Sequence, residues 1–261
     1  MIVALSLLLA CPNPSSATRA PVELVRAQER STREQFVALF AARDEQGCAA
    51  LWRAHPREVL YTIDEDLEGA LATWEKSPET PDAKAIAEHH ARALWGARIA
   101  SEVSGHPIFL DYASAFAGQS KEQKQHFRAG QRAHGESRKA LKAKDFASAE
   151  SKARECIEHA APLGDWWGHA MGLSALGAAL VAKGEHASAV APLGEAALIY
   201  RDLQLAGDEY NALRALGQAL VAAGAKQRAE VVMRRALVLA AELGDAQGKT
   251  ALEAELARLV K

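Results

Sequence analysis

The side chains of this sequence that could catalyse a reaction or hold a metal ion are not spaced for either role. The nine histidines include no pair three or four residues apart, and the cysteines form no Cys-X-X-Cys pair, so we predict no metal site. Asp64 and Glu68 lie one helical turn apart and could act as an acid and a base. The acidic run at residues 64–66 is, however, typical of a solvated helix face, which is the interpretation we favour.

Two glycines have the spacing of a phosphate-binding loop. Gly172 and Gly177 lack the Lys-Ser/Thr pair that such a loop needs, and no predicted strand precedes them. We interpret them as glycines that allow close helix packing. The sequence therefore predicts no catalytic residue, no enzyme and no cofactor.

Composition and charge describe a globular chain that favours helices. Of the 261 residues, 49% are hydrophobic and 25% are charged, which excludes a disordered protein. The net charge of −2 gives no electrostatic reason to expect a nucleic acid partner. Abundant alanine and leucine and the scarcity of β-branched runs favour helix over strand.

The first eleven residues differ from the rest of the chain. They are almost all apolar, and Leu8-Leu9-Ala10 leads directly into Cys11. This resembles a bacterial lipoprotein signal, although no Lys or Arg precedes the apolar run. The resemblance implies that Cys11 becomes the lipidated first residue of the mature chain and that residues 12–21 form a tether. The expected location is the cell envelope, where the anchored protein faces the periplasm or the exterior; the cytoplasm is the alternative.

The C-terminal part of the chain repeats at an interval of forty residues. Leu176-Gly177 returns as Leu216-Gly217 (217 − 177 = 40), and Cys156 occupies the position of Ala196 and Ala236. A fixed period of this length is typical of a solenoid of stacked units. Helical periodicity also continues through residues 22–130, where we find no repeat.

Three units, at residues 131–170, 171–210 and 211–250, resemble tetratricopeptide repeats (TPRs). The second unit carries the closest match, and the first is degenerate. The matching positions of the second unit are Leu173, Leu176, Gly177, Leu180, Ala189, Leu193 and Ala196. The resemblance implies an all-α fold, an α-solenoid of helix-turn-helix repeats with additional N-terminal helices and a closing helix at residues 251–261. Gly177 and Gly217 should let the paired helices approach closely.

The resemblance also implies a concave wall lined by the first helix of each unit. The residues at these positions are Gln131, His134, Arg138, Lys142, Met171, Ser174, Ala178, Asn211, Arg214 and Gln218. They give an apolar middle between two cationic ends, and the middle unit lacks the family's clamp for a terminal carboxylate. We expect a partner segment with apolar side chains at its centre and acidic groups toward Arg138 or Arg214. Plain solvated residues are the open alternative.

A second cationic surface is a basic stripe on one helix face. It consists of Lys121, Lys124, Arg128, Arg132, Lys139 and Lys142. The stripe could contact anionic lipid headgroups beside Cys11 or the acid-rich segment at residues 58–82, but a solvated face is the favoured interpretation. Cys48 and Cys156 could form a bridge in an exported protein, although the small-residue position of Cys156 favours a buried free thiol.

Together these patterns predict a lipid-anchored scaffold or assembly factor that binds a partner protein or peptide in its concave groove. The alternative is a cytosolic peptide sensor or regulator of the same fold. A hydrolase that uses carboxylates of the N-terminal helices is the least favoured class, because no convergent set of catalytic residues is evident. A solenoid fold does not by itself fix the partner.

Overall fold

The structure, a computed structural model, describes residues 31–259, and in this range it contains twelve α-helices and no strand. Cys11 and the predicted tether lie outside the described residues. The helices are α1 (Thr32–Ala42), α2 (Glu45–Ala54), α3 (Pro56–Lys76), α4 (Ala83–Ser104), α5 (Ile108–Ala117), α6 (Lys121–Lys142), α7 (Phe146–Ala160), α8 (Trp166–Ala182), α9 (His186–Asp202), α10 (Ala206–Ala222), α11 (Lys226–Glu242) and α12 (Ala246–Leu259). None of these helices is both long and apolar enough to cross a membrane.

Helices α6 to α12 stack as helix-turn-helix pairs, each helix packing mainly against the next one along the chain. Helices α8, α10 and α12 begin forty residues apart, at Trp166, Ala206 and Ala246. This confirms the predicted all-α fold, an α-solenoid of TPR-like repeats with additional N-terminal helices. The predicted boundary between residues 130 and 131 falls inside α6, the first helix of the stack.

The turns inside the helix pairs require a left-handed backbone. Gly184 and Gly224 adopt φ angles of 80° and 79°, which glycine does without steric cost. The first pair has Lys144 at this position, with a φ angle of 61°. The first unit thus departs from the other two in its turn as well as in its helix sequence.

Helices α1 to α5 form a bundle that precedes the stack. A capping box between Ser31 and Glu34 begins α1, and Pro56 begins α3. Aromatic rings fill the core of the bundle, where Trp52 meets Phe109 edge to face with 4.6 Å between the ring centroids. The hydrophobic core continues from this bundle through the repeats to α12.

Helix α3 connects the bundle to the stack because one of its faces meets α10, α8 and α6 in turn. The Arg57 guanidinium lies near the Asp208 carboxylate of α10. The Tyr61 ring packs on the Trp167 ring of α8, with 5.0 Å between centroids. Further along, Glu68 and Glu75 of α3 accept hydrogen bonds from Arg128 of α6. The bundle therefore covers one end of the inner helices of the stack.

The prediction that the acidic run at residues 64–66 is a solvated face is wrong for two of its three residues. Asp66 is fully buried and accepts hydrogen bonds from Arg92 at 2.6 and 2.8 Å. Asp64 is partly buried against the stack, and only Glu65 is exposed. The partly buried Arg92 and the neighbouring helices, which the local sequence does not reveal, account for the difference.

Some residues of the basic stripe form ion pairs within the protein. The expectation of a solvated face is wrong for Arg128, which is partly buried, whereas Lys121 is exposed and its ion pair lies at the surface. The ammonium of Lys121 lies 2.8 Å from a carboxylate oxygen of Glu79, and Arg128 binds two glutamates of α3. These partners belong to the acid-rich segment at residues 58–82, as the second alternative expected. Arg132, Lys139 and Lys142 are exposed and have no ion pair within residues 31–259.

Both described cysteines are buried free thiols, as expected for Cys156. Burial raises the pKa of each thiol to about 12, so neither is a thiolate near neutral pH.

Gly177 should not tolerate alanine, whereas Gly135 should. A Cβ atom at Gly177 would lie 2.4 Å from Cγ of Leu193, but at Gly135 it would meet nothing within 4 Å. We expect Gly177→Ala to lower the free energy of unfolding by about 1–3 kcal/mol through overpacking. Gly135→Ala should raise it by about 0.5–1 kcal/mol, because alanine favours helix. Urea unfolding followed by circular dichroism measures both.

Gly217→Ala provides an intermediate case in the same measurement. Its Cβ atom would meet Met233 at 2.8 Å, and a methionine side chain moves aside more easily than a leucine. If Gly217→Ala lowered the free energy of unfolding more than Gly177→Ala, this explanation of the close helix packing at the two glycines would be contradicted.

Candidate functional site

Besides Ala178, the predicted partner-binding groove has nine residues, which come from three adjacent helices, α6, α8 and α10. Five of them are exposed, namely Gln131, Arg138, Lys142, Asn211 and Gln218. Four are partly buried, namely His134, Met171, Ser174 and Arg214. Arg138 and Lys142 have no ion pair in the described part of the chain, whereas the Arg214 guanidinium lies over the Tyr210 ring, 5.4 Å from its centroid.

The groove is not open along its whole length, because α3 covers its end at Gln131 of α6. The Gln131 amide donates a hydrogen bond of 2.6 Å to Glu68 and accepts one of 2.7 Å from Arg128. Gln131, His134 and Met171 thus line a cavity closed by the bundle. Gln218 lies at a separate cleft between α10 and α12. The structure therefore brings three of the nine residues into one site and leaves Arg138 and Lys142 outside it.

The cavity between the bundle and the first two helix pairs has a volume of about 170 Å³. Helix α3 contributes Tyr61 and Asp64, and α5 contributes Tyr112. The first turn of α8 and the residue before it contribute Trp167 and Asp165. Since side chains from both halves of the protein are needed to enclose it, the cavity exists only when the bundle and the stack are packed together.

Two carboxyl groups face this cavity without a compensating cation in residues 31–259. Asp64 accepts a hydrogen bond of 2.5 Å from the Tyr112 hydroxyl, and Asp165 accepts one of 2.8 Å from the backbone N–H of Gly168. Burial raises the pKa of Asp64 to about 6, against the effect of the Tyr112 bond. Burial also raises the pKa of Asp165 to about 7, and repulsion from Asp64 adds to this shift.

The third carboxylate near the cavity is neutralised. Glu68 lies 2.6 Å from a guanidinium nitrogen of Arg128. Asp64 and Glu68 thus have separate partners, and the structure does not join them as the acid and base that their spacing suggested.

His134 adds a neutral polar group to the cavity wall. Burial, with the nearby Arg138, lowers the pKa of the imidazole. Its Nδ1 atom is buried and has no hydrogen-bond partner in the described part of the chain. The site therefore combines two partly buried carboxyl groups and a neutral imidazole with aromatic walls.

Sequence reasoning did not predict several of the lining residues, among them Tyr61, Tyr112, Asp165 and Trp167. Asp165 carried a recognisable signal, because Asp165-Trp166-Trp167-Gly168 has the spacing of an N-cap that binds the third residue of its helix. That signal predicts a helix start, not a cavity. Only the packing of α3 on α8 shows that the same carboxyl group faces Asp64.

Comparisons with known proteins do not assign the chain to a family. No protein-family model matches the sequence, and no curated protein matches it either. One solved structure with a similar arrangement is titled as the TPR2AB-domain:pHSP90 complex of yeast Sti1. It shares 15% sequence identity with this chain and has a TM-score of 0.44, with 88% of this chain and 97% of that chain covered. A similarity at this level carries no argument about function.

Proposed function

We propose that the protein is an interaction module that holds a segment of a partner protein or peptide in the concave groove of its repeats, as a scaffold or assembly factor. The observation that supports this proposal is the exposure of the groove residues and the lack of ion pairs at two of them in the described part of the chain. Arg138 and Lys142 are exposed and unpaired within residues 31–259, and the partly exposed Met171 lies on the next inner helix. Uncompensated charge beside apolar surface is typical of a surface that binds another protein.

The partner segment that fits this surface has apolar side chains at its centre and acidic groups at its ends. An acidic group near Arg138 would meet two cations, since Lys142 lies one turn further along α6. A second acidic group would meet Arg214, whose guanidinium rests on Tyr210. Charge complementarity of this kind raises the association rate and fixes the orientation of the segment.

The double variant Arg138→Glu/Arg214→Glu should lose the partner. We expect recovery of the partner in a crosslinked pull-down from the native cell envelope to fall at least about tenfold, because attraction is replaced by repulsion at both ends of the groove. The fold should persist, since Arg138 has no bonded partner among the described residues and Arg214 contributes a contact with the Tyr210 ring and a charge near Asp245.

A charge-matched control lies on the outer helices of the same repeats. Arg154 and Arg234 occupy equivalent positions on α7 and α11, and each pairs only with a glutamate one turn earlier. Arg154→Glu/Arg234→Glu changes the net charge equally but should leave recovery unchanged. Equal recovery with both double variants would move the binding surface away from the groove.

The proposal includes attachment of the protein to a membrane of the cell envelope through a lipid on Cys11. The support is the resemblance of residues 1–11 to a lipoprotein signal. Fractionation of cells that express the full chain or Cys11→Ser tests it: the full chain should sediment with membranes and the variant should not. If both are recovered in the cytosol, the cytosolic peptide sensor replaces this proposal.

A further inference from the structure

The cavity between the bundle and the stack has the features of a site for a small positively charged group. Its volume of about 170 Å³ compares with the roughly 150 Å³ that hold a benzene molecule in a protein core. The Tyr61 and Trp167 rings form two walls with an interplanar angle of 60°. Aromatic ring faces attract organic cations in other binding sites.

The polar groups that line the cavity are mostly hydrogen-bond acceptors. The hydroxyl of Tyr112 already donates its hydrogen bond to Asp64, so it is not available as a donor to a ligand. The second oxygens of Asp64 and Asp165 have no hydrogen bond or ion pair within residues 31–259. The buried Nδ1 atom of His134 is likewise unpartnered there, and a neutral imidazole can accept a bond at this atom. A ligand that satisfies these groups must donate hydrogen bonds.

We propose that this cavity binds an organic cation, an ammonium or guanidinium group carried by a basic side chain or by a free amine. The cation would lie between the carboxyl groups of Asp64 and Asp165, with the rings of Tyr61 and Trp167 beside its alkyl part. The proposal goes beyond the groove: a free amine can occupy the cavity even if no protein segment binds to Arg138 or Arg214.

The charged and titratable groups around the two carboxyls set the pH dependence of binding. From α3, Glu65 and Glu68 repel Asp64, and Arg128 of α6 neutralises Glu68. The remaining groups are Arg57 on the Tyr61 ring, the neutral thiol of Cys156, the un-ionised Tyr112 and the neutral His134. Both carboxyls are more readily protonated than usual, so the cation must compete with protons, and its affinity should fall as the pH drops below about 7.

A ¹⁹F NMR titration of the full chain labelled with 5-fluorotryptophan tests the proposal, with Trp167→Phe used to identify the Trp167 signal. The probes are n-butylammonium chloride, N-acetyl-lysine amide and, as an uncharged control, 1-butanol. At about pH 8, n-butylammonium should shift the Trp167 signal in a saturable manner with a millimolar dissociation constant, and 1-butanol should not. At about pH 5.5 the affinity should be at least about tenfold weaker.

Matched variants distinguish the role of the two carboxyl groups in ligand binding from the role of an aspartate as a helix cap. Asp64→Asn and Asp165→Asn should each weaken n-butylammonium binding at least about tenfold, and asparagine preserves the cap of α8. Asp245→Asn is the control, because Asp245 accepts the same 2.8 Å bond from Gly248 at the start of α12, away from the cavity. It should leave binding unchanged.

Some outcomes of these experiments identify the source of the cation, and others would overturn the proposal. Binding of N-acetyl-lysine amide supports a basic side chain as the natural ligand, whereas binding of n-butylammonium alone supports a free amine. Equal shifts with 1-butanol, no shift at millimolar n-butylammonium, or unchanged affinity in both asparagine variants of the cavity would overturn it. None of these results depends on the groove experiment with Arg138 and Arg214.

Discussion

Replacing Asp66 by alanine should lower the free energy of unfolding by about 3 kcal/mol, because it leaves a partly buried guanidinium without its counter-ion. Asp66 is completely buried and is bound by two guanidinium nitrogens of Arg92 and by Nδ1 of His89, at 2.6 to 3.0 Å. These bonds join α3 to α4. Urea unfolding of the full chain at neutral pH, followed by circular dichroism, measures the loss.

Glu65→Ala is the matched control for Asp66→Ala. Glu65 precedes Asp66 in the same helix, but its ion pair with Arg33 is solvent-exposed, with side chains 58% and 42% accessible. Exposed pairs contribute roughly 0–1 kcal/mol, so this variant should be close to the unmodified protein. If the two variants unfold at the same urea concentration, the buried network contributes no more than a surface pair, contrary to our expectation.

The double variant Asp64→Asn/Asp165→Asn should be more stable than the unmodified protein at about pH 8, by at least about 3 kcal/mol. The folded-state pKa values of about 6 and about 7 lie above the ordinary value of 3.8. The folded protein therefore binds more protons than the unfolded chain between roughly pH 4 and pH 7. Stability from the protonated carboxyls is fully present below about pH 4 and is lost as the pH rises through the folded-state values.

The sign of this effect is tested by comparing variant and unmodified protein across pH. The stability difference should be near zero at about pH 4 and should grow until about pH 8, since the amides do not ionise. Asp245→Asn is the opposite control, because its cap bond to Gly248 lowers the pKa of Asp245. This variant should be less stable than the unmodified protein by an amount that is constant above about pH 5 and shrinks only when the pH falls below about 4. A double variant that is less stable than the unmodified protein at about pH 8 would show that the two carboxyls are not penalised by burial.

The helical stack could be predicted from the amino-acid sequence. The forty-residue step reappears in the starts of α8, α10 and α12, because each unit repeats the same helix and turn signals. The close approach at Gly177 is likewise confirmed by the contact of its position with Leu193. The position of Cys156 among the alanines of the other units also predicted a buried free thiol correctly. These features follow from local sequence or from comparison of one repeat with the next, which the chain displays directly.

The contact between the N-terminal helices and the stack could not be predicted from the sequence and is seen in the three-dimensional structure. Asp64 and Asp165 are distant in sequence and share no motif, yet the contact of Tyr61 with Trp167 places both at one cavity. The same packing buries Asp64 and gives Arg128 its glutamate partners, although short-range patterns suggested solvated faces. A helix face with charged residues is predicted to be exposed unless an oppositely charged face of another helix is known to pack against it. Because the helix that packs against this face lies far along the chain and the contact follows no repeat, sequence periodicity could not identify it. The site therefore depends on the packing of the bundle against the stack.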